Sequence, residues 1–268
     1  MKQKDFSIGI FDSGVGGTSI WKEINRQMPL EHTLYLSDTK HAPYGAKSKE
    51  EIIALAIKNT EYLLQRNCKI IVVACNTATT NAIAHLRAHY SVPFIGIEPA
   101  IKPAALQTKT NTIGILATKG TLNSALFAQT SQKLGRNIKI IEQIGTGLVT
   151  AIENGKLESE EMTQLLQQHL LPMVAQNIDC LVLGCTHYPY LIPQIRKMIG
   201  PKIQIIDSGL AVAKQTHKVF SEAGLLRTTR DKNNSAFQFL INKDPSNLAP
   251  LLEPVPDTTL KLPPNFHL

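Results

Sequence analysis

The chain has 268 residues, enough for one large domain or two modest ones with a sizeable core. Its 43% hydrophobic and 18% charged fractions are those of a globular protein, and no apolar run approaches the roughly 18 to 20 residues of a membrane span. Lys and Arg outnumber Asp and Glu by 28 to 21, yet the basic residues are scattered, with no arginine-rich block and no aromatic platform. That pattern argues against nucleic acid as a partner and leaves an acidic small substrate open.

At the N-terminus the apolar stretch Phe6 to Phe11 breaks at Asp12 and Ser13. It is shorter than the core of a secretory signal, about 7 to 15 residues, so a cytoplasmic location is expected. Four cysteines, Cys68, Cys75, Cys180 and Cys185, match neither a C-x-x-C redox pair nor zinc spacing. Reduced thiols are expected, with no metal and no cofactor.

In chain order, "FSIGIF" reads as a strand, "DSGVGG" as a turn and "TSIWKEINRQM" as a helix with Ile20, Trp21, Ile24 and Met28 at helical spacing. The cycle repeats through the strand "HTLYLSD", the loop "TKHAPYGAKS", a helix from Lys49 to Gln65, the strand "CKIIVVAC", the helix "TTNAIAHLRAHY" and the strand "PFIGIEP". It restarts at "NTIGILATKGT" and runs through "IKIIEQI", helical segments from Glu153 to Val174, "DCLVLGC", a helix at Ile195 to Met198 and "IQIIDS". Alternating units of this kind predict α/β architecture. Two pseudo-symmetric domains are expected, each a mainly parallel sheet flanked by helices, with the active site in the cleft between them. The expected division is residues 1–98 plus 208–268 and residues 99–207. Beyond Leu226 the pattern thins to polar "RTTRDKNNS", a possible strand and short helix in "AFQFLINKDPSNLAPLL", and a proline-containing tail to which no chemistry is assigned.

Cys75 and Cys185, 110 positions apart, each end a run of apolar or small residues, "IVVA" and "LVLG". In open α/β sheets ligands bind beyond the carboxyl ends of strands, where both thiols fall. Each also precedes residues suited to capping a helix, whose N–H groups would lower a thiol pKa from about 8.5. Cys68 and Cys180, near strand starts, read as packing. Asp12 and Ser13 end the first strand; "GVGG" lacks the third glycine of a dinucleotide fingerprint, Ser19 standing there, so its glycines are expected to let backbone N–H groups approach an anion. His187, two residues beyond Cys185, is placed to relay protons.

The ordered set "IGIFDSGVGG", "APYG", "ACNTAT", "IGIEPA", "ATKGT" and "LGCTHYP" resembles the cofactor-independent glutamate racemases of the aspartate/glutamate racemase superfamily. The resemblance implies interconversion of L- and D-glutamate by two thiols on opposite faces of Cα, Cys75 deprotonating D-glutamate and Cys185 L-glutamate. It further implies Asp12, Glu153 and His187 as auxiliary charged residues. Substrate contacts would fall on Asp12, Ser13, Pro43, Tyr44, Gly45, Asn76, Thr77, Thr186 and His187, with Thr118 and Thr121 near the side-chain carboxylate. Homodimers that supply D-glutamate for peptidoglycan are also implied. One departure lies before Glu153, where Thr146 and Gly147 replace a Cys-Pro type pair. Two rival readings stand beside it: a small-anion binding module with inert cysteines, and an aspartate racemase.

Overall fold

The computed structural model describes residues 5–134, 137–229, 237–244, 246, 249–252 and 258–261. The first half forms β1 (Ser7–Asp12), α1 (Thr18–Gln27), β2 (Thr33–Ser37), α2 (Lys49–Leu64), β3 (Cys68–Val73), α3 (Asn76–His89), β4 (Phe94–Gly96) and α4 (Ile101–Gln107). There follow β5 (Thr112–Ala117), α5 (Lys119–Leu122), α6 (Ala125–Gln132), β6 (Lys139–Ile144), α7 (Leu148–Glu153), α8 (Glu160–Val174), β7 (Cys180–Gly184), α9 (Ile192–Ile199), β8 (Gln204–Ile206) and α10 (Gly209–Glu222). The C-terminal part adds β9 (Phe237–Ile241), α11 (Ala249–Leu252) and β10 (Thr258–Lys261).

Two parallel sheets result, ordered β10-β9-β2-β1-β3-β4 and β6-β5-β7-β8. Leaving aside β9 and β10, both follow one plan: the first strand lies between the second and third, and the fourth flanks the third. The central strands β1, β3, β5 and β7 are buried almost throughout, as expected of parallel strands covered by helices on both faces. Edge strand β6 alternates between half-buried and exposed positions instead.

Local chemistry sets the element ends. Ser48 caps α2 in a reciprocal capping box with Glu51, and Ser124 and Ser159 cap α6 and α8 through their side chains. Helix α1 buries Ile20, Trp21 and Ile24. The Trp21 ring meets Phe237 and Phe239 of β9 edge-on at centroid distances of 5.4 and 4.7 Å. Each such side chain withdrawn from water contributes about 1.5 to 3 kcal/mol, which fastens the C-terminal strand onto the first sheet beside β2.

The expected strands and helices are present, with two refinements. The helix after β5 is divided at Asn123 into α5 and α6. After β7 the chain makes a short 3-10 turn, Tyr188–Leu191, before α9 begins at Ile192, so Cys185 does not open an α-helix as Cys75 does. The polar stretch 230–236 and the tail after 261 lie outside the described residues.

Candidate active site

In this strand order the topological switch lies between the first and third strands, and ligands bind at their carboxyl ends. Asp12 ends β1 and Cys75 follows β3; at the equivalent places of the second sheet stand Thr118, after β5, and Cys185, after β7. The two switch points face each other across one narrow cavity. From the first lobe Ser13, Pro43, Tyr44, Gly45, Cys75, Asn76 and Thr77 line it; from the second come Thr118, Val149, Cys185, Thr186 and His187. Asp12, Thr121 and Glu153 stand behind that wall.

Each sulfur leads through one intermediate group to a carboxylate. Cys75 Sγ donates to Ser13 Oγ at 3.5 Å, and Ser13 Oγ donates to Asp12 Oδ1 at 3.3 Å. Cys185 Sγ lies 3.7 Å from His187 Nδ1, and His187 Nε2 lies 2.5 Å from Glu153 Oε1. The first chain belongs to one lobe and the second to the other. They are joined where Thr186 Oγ1 donates to Asp12 Oδ2 at 3.4 Å and Val15 N donates to Glu153 Oε1 at 2.7 Å.

The anions expected at the glycine turn are therefore the protein's own carboxylates: Gly17 N donates to Asp12 Oδ2 at 2.6 Å. The turn also has no room for side chains. A Cβ on Gly14 would sit 1.9 Å from Glu153 Oε1, and one on Gly16 would sit 2.3 Å from His187 Nδ1. Glu153 reaches the site although Thr146 and Gly147 precede its helix, Gly147 taking a left-handed φ of 85° at the N-cap of α7.

Burial dominates the electrostatics. Asp12, fully shielded from solvent, is pushed up from 3.8 to about 6; the charge of His187 and the Gly17 N–H pull the other way. For His187, burial favours the neutral ring, but hydrogen bonding to Cys185 and Glu153 outweighs it and raises the pKa well above the ordinary value. Cys75 corrects the sequence reading. It caps α3, accepting from Ala78 N at 3.4 Å, yet burial and then the Asp12 charge push its thiol up rather than down. At 4% exposure the lost hydration exceeds what one long N–H contact returns.

Thr77 Oγ1 lies 2.8 Å from Thr118 Oγ1 and 3.3 Å from Thr121 Oγ1, a cluster of hydroxyls from both lobes. Asn76 lines the cavity with its Oδ1 buried and unpartnered among the described residues, an acceptor in need of a donor. The Tyr44 hydroxyl is already engaged with Asp38 and Asn59, so Tyr44 offers the cavity its ring and backbone. Among the described residues no cluster of three or more His, Cys, Asp or Glu is arranged to hold a metal ion.

Three residues escaped the sequence reading. Val149 shares the cavity wall, and Asn81 ties α3 to the second lobe by donating to Gly120 O at 3.0 Å; neither carries a local signal. Asp38 does carry one, because it follows β2 as Asp12 ends β1.

The model of the Asp/Glu/Hydantoin racemase family matches residues 8–216. The chain belongs to that family. A glutamate racemase of Herpetosiphon aurantiacus is 41% identical over 246 residues, covering 92% of this chain and 96% of the relative. The structure of Escherichia coli glutamate racemase in complex with L-glutamate superposes with a TM-score of 0.82 at 29% identity, covering 96% of this chain and 98% of the other. That of Francisella tularensis glutamate racemase in complex with D-glutamate gives 0.79 at 30% identity, covering 92% of each chain. The racemase described here has the same two-sheet α/β architecture. Among its described residues no helix is long and apolar enough to cross a membrane.

Proposed function

We propose that this racemase interconverts L- and D-glutamate by moving a proton at Cα between Cys75 and Cys185. The observation that carries the reading is the pair of thiols, one from each lobe at equivalent strand ends, lining a single small cavity. A thiolate on one face takes the α-hydrogen as a proton. The electron pair left on carbon delocalises into the carboxylate, and the thiol on the other face returns a proton to the opposite side. The product has inverted configuration, and the two sulfurs have exchanged protonation states.

Each auxiliary chain then has a role. Protonated His187 gives the Cys185 sulfur a charged donor, and Glu153 holds the imidazolium in place. Ser13 and Asp12 form the corresponding acceptor path for Cys75. Asn76 Oδ1 supplies an acceptor for the substrate ammonium, and the Thr77, Thr118 and Thr121 hydroxyls supply donors for a carboxylate. Thr186 and the backbone at Tyr44 and Gly45 complete the binding wall. In a cavity closed to water these dipoles stabilise the carbanion more strongly than solvent would.

The same reading divides the chain into lobes 1–98 plus 208–268 and 99–207. It places the enzyme in the cytoplasm as a homodimer that supplies D-glutamate for peptidoglycan. The test is chiral analysis of glutamate incubated in D₂O with the parent and with Cys75→Ser and Cys185→Ser. Racemisation with deuterium entering Cα in the parent and lost in both variants is expected; a single serine variant that still racemises overturns the two-thiol scheme.

A further inference from the structure

The C-terminal strand reaches the substrate loop. Asn242 follows β9, which lies beside β2 in the first sheet, and its side chain spans two partners. Asn242 Nδ2 donates to Asp38 Oδ1 at 2.5 Å, and Asn242 Oδ1 accepts from Lys40 N at 2.8 Å. Asp38 is completely buried. Its Oδ1 also meets His41 Nδ1 at 2.6 Å, and its Oδ2 accepts from the Tyr44 hydroxyl at 2.5 Å. Asn59 Nδ2, from α2, donates to the same hydroxyl at 3.1 Å. The segment Pro43 to Gly45, which forms one wall of the reaction cavity, thus hangs from a carboxylate whose other oxygen is held by the C-terminal strand.

We propose that Asn242 is a positioning residue for this wall, acting through Asp38 and Tyr44, and that the C-terminal segment serves the active site by this route. The Asn242 amide matches the two needs of the place, a donor for the carboxylate and an acceptor for the Lys40 N–H. A buried carboxylate deprived of one donor reorients towards those that remain. Tyr44 follows it, and the cavity wall shifts while the two sulfurs keep their own partners.

For its catalytic consequence the proposal rests on the glutamate reading, and the experiment separates the two. Asn242→Ala is compared with Gln238→Ala, an exposed position on β9, as a control for the strand. The expected result is a KM for glutamate raised about tenfold in both directions by Asn242→Ala, with kcat held within about twofold and Gln238→Ala silent. Faster tryptic cleavage after Lys40 and Lys47, which flank the loop, should accompany it. In the double variant Asn242→Ala/Tyr44→Phe the KM rise should not exceed that of the stronger single change, because both break one chain of contacts.

An unchanged KM, or KM effects that multiply in the double variant, would overturn the proposal. Should Asn242→Ala fail to fold, Asn242→Thr takes its place; failure of both while Gln238→Ala folds assigns Asn242 to the framework instead and equally overturns it. A parent enzyme that leaves glutamate unchanged refutes the functional reading, and the cleavage assay still decides the positioning role. A parent that racemises glutamate, with cleavage and KM unmoved in Asn242→Ala, refutes the positioning role alone.

Discussion

Glu153 Oε1 lies 2.5 Å from His187 Nε2 and takes the Val15 N–H at 2.7 Å, so one oxygen both holds an imidazole of its own lobe and grips the opposite lobe. Replacing the carboxylate by an amide keeps the shape and loses the charge. Glu153→Gln is expected to lower kcat by about ten- to a hundredfold, the usual range for weakening an acid–base partner. Steady-state kinetics alongside thermal melts would show the loss without a comparable loss of folded protein.

Gly16 tests the same imidazole by shape alone. Gly16→Ala places a Cβ 2.3 Å from His187 Nδ1, and His187 is too buried to step aside freely. Overpacking of this kind costs about 1 to 3 kcal/mol, and under the proposed mechanism a displaced proton donor to Cys185 costs about a hundredfold in kcat. Activity is therefore expected to fall far more than the denaturation midpoint; equal activity in the variant would show that the imidazole need not sit where it does.

Asp12 couples the site to stability. Its folded-state pKa of about 6 stands above the ordinary 3.8 because burial disfavours the ionised form, so the folded chain holds this proton more tightly than the unfolded chain. The cost of burying the charge is absent below about pH 4, grows as pH rises, and is complete above about pH 6, where it reaches about 3 kcal/mol. Asp12→Asn removes it. Urea denaturation near neutrality and near pH 4 should show the variant gaining on its parent by about that amount at the higher pH, whatever its activity.

Burial also governs the thiols. Cys75 in the closed cavity should alkylate with iodoacetamide more than about a hundredfold slower than an exposed cysteine near neutrality, its rate rising with pH into the alkaline range. Peptide mapping of the modified sites reads this out directly. Fast, pH-independent labelling of Cys75 would contradict the raised thiol.

Thr118 tests substrate reach. Thr118→Val removes a hydroxyl shared with Thr77 and Thr121 and leaves buried partners short of a bond. A KM for glutamate raised about tenfold with a smaller change in kcat is expected. A chiral assay run on glutamate and aspartate together would show whether the threonine cluster selects the longer side chain.

Much of this was legible in the chain because parallel strands advertise themselves. Runs such as "IIVV" and "LVLG" are apolar on both faces, and Asp12, Cys75, Thr118 and Cys185 mark the carboxyl ends of such strands. Pairings across long separations left no such trace. Nothing near Asn242 points to Asp38, 204 positions away, and the four residues around Gly14 do not disclose that Glu153 will lie against them. The Cys75 thiol is misjudged from sequence for a related reason: its helix cap is local, whereas the burial that outweighs it comes from residues distant in the chain, such as Phe11, Tyr44 and Leu240.

The two hydrogen-bonded chains are alike in plan and different in kind: a hydroxyl and a buried carboxylate lead from one sulfur, an imidazole and a carboxylate from the other. For any racemisation the equilibrium constant is unity, which obliges kcat/KM to be equal for the two mirror-image substrates but leaves their separate components free. Under the proposed two-thiol scheme, a thiol raised by burial on one side and an imidazole beside the sulfur on the other make the two directions chemically unequal, and separate kcat and KM values that differ between L- and D-glutamate are expected.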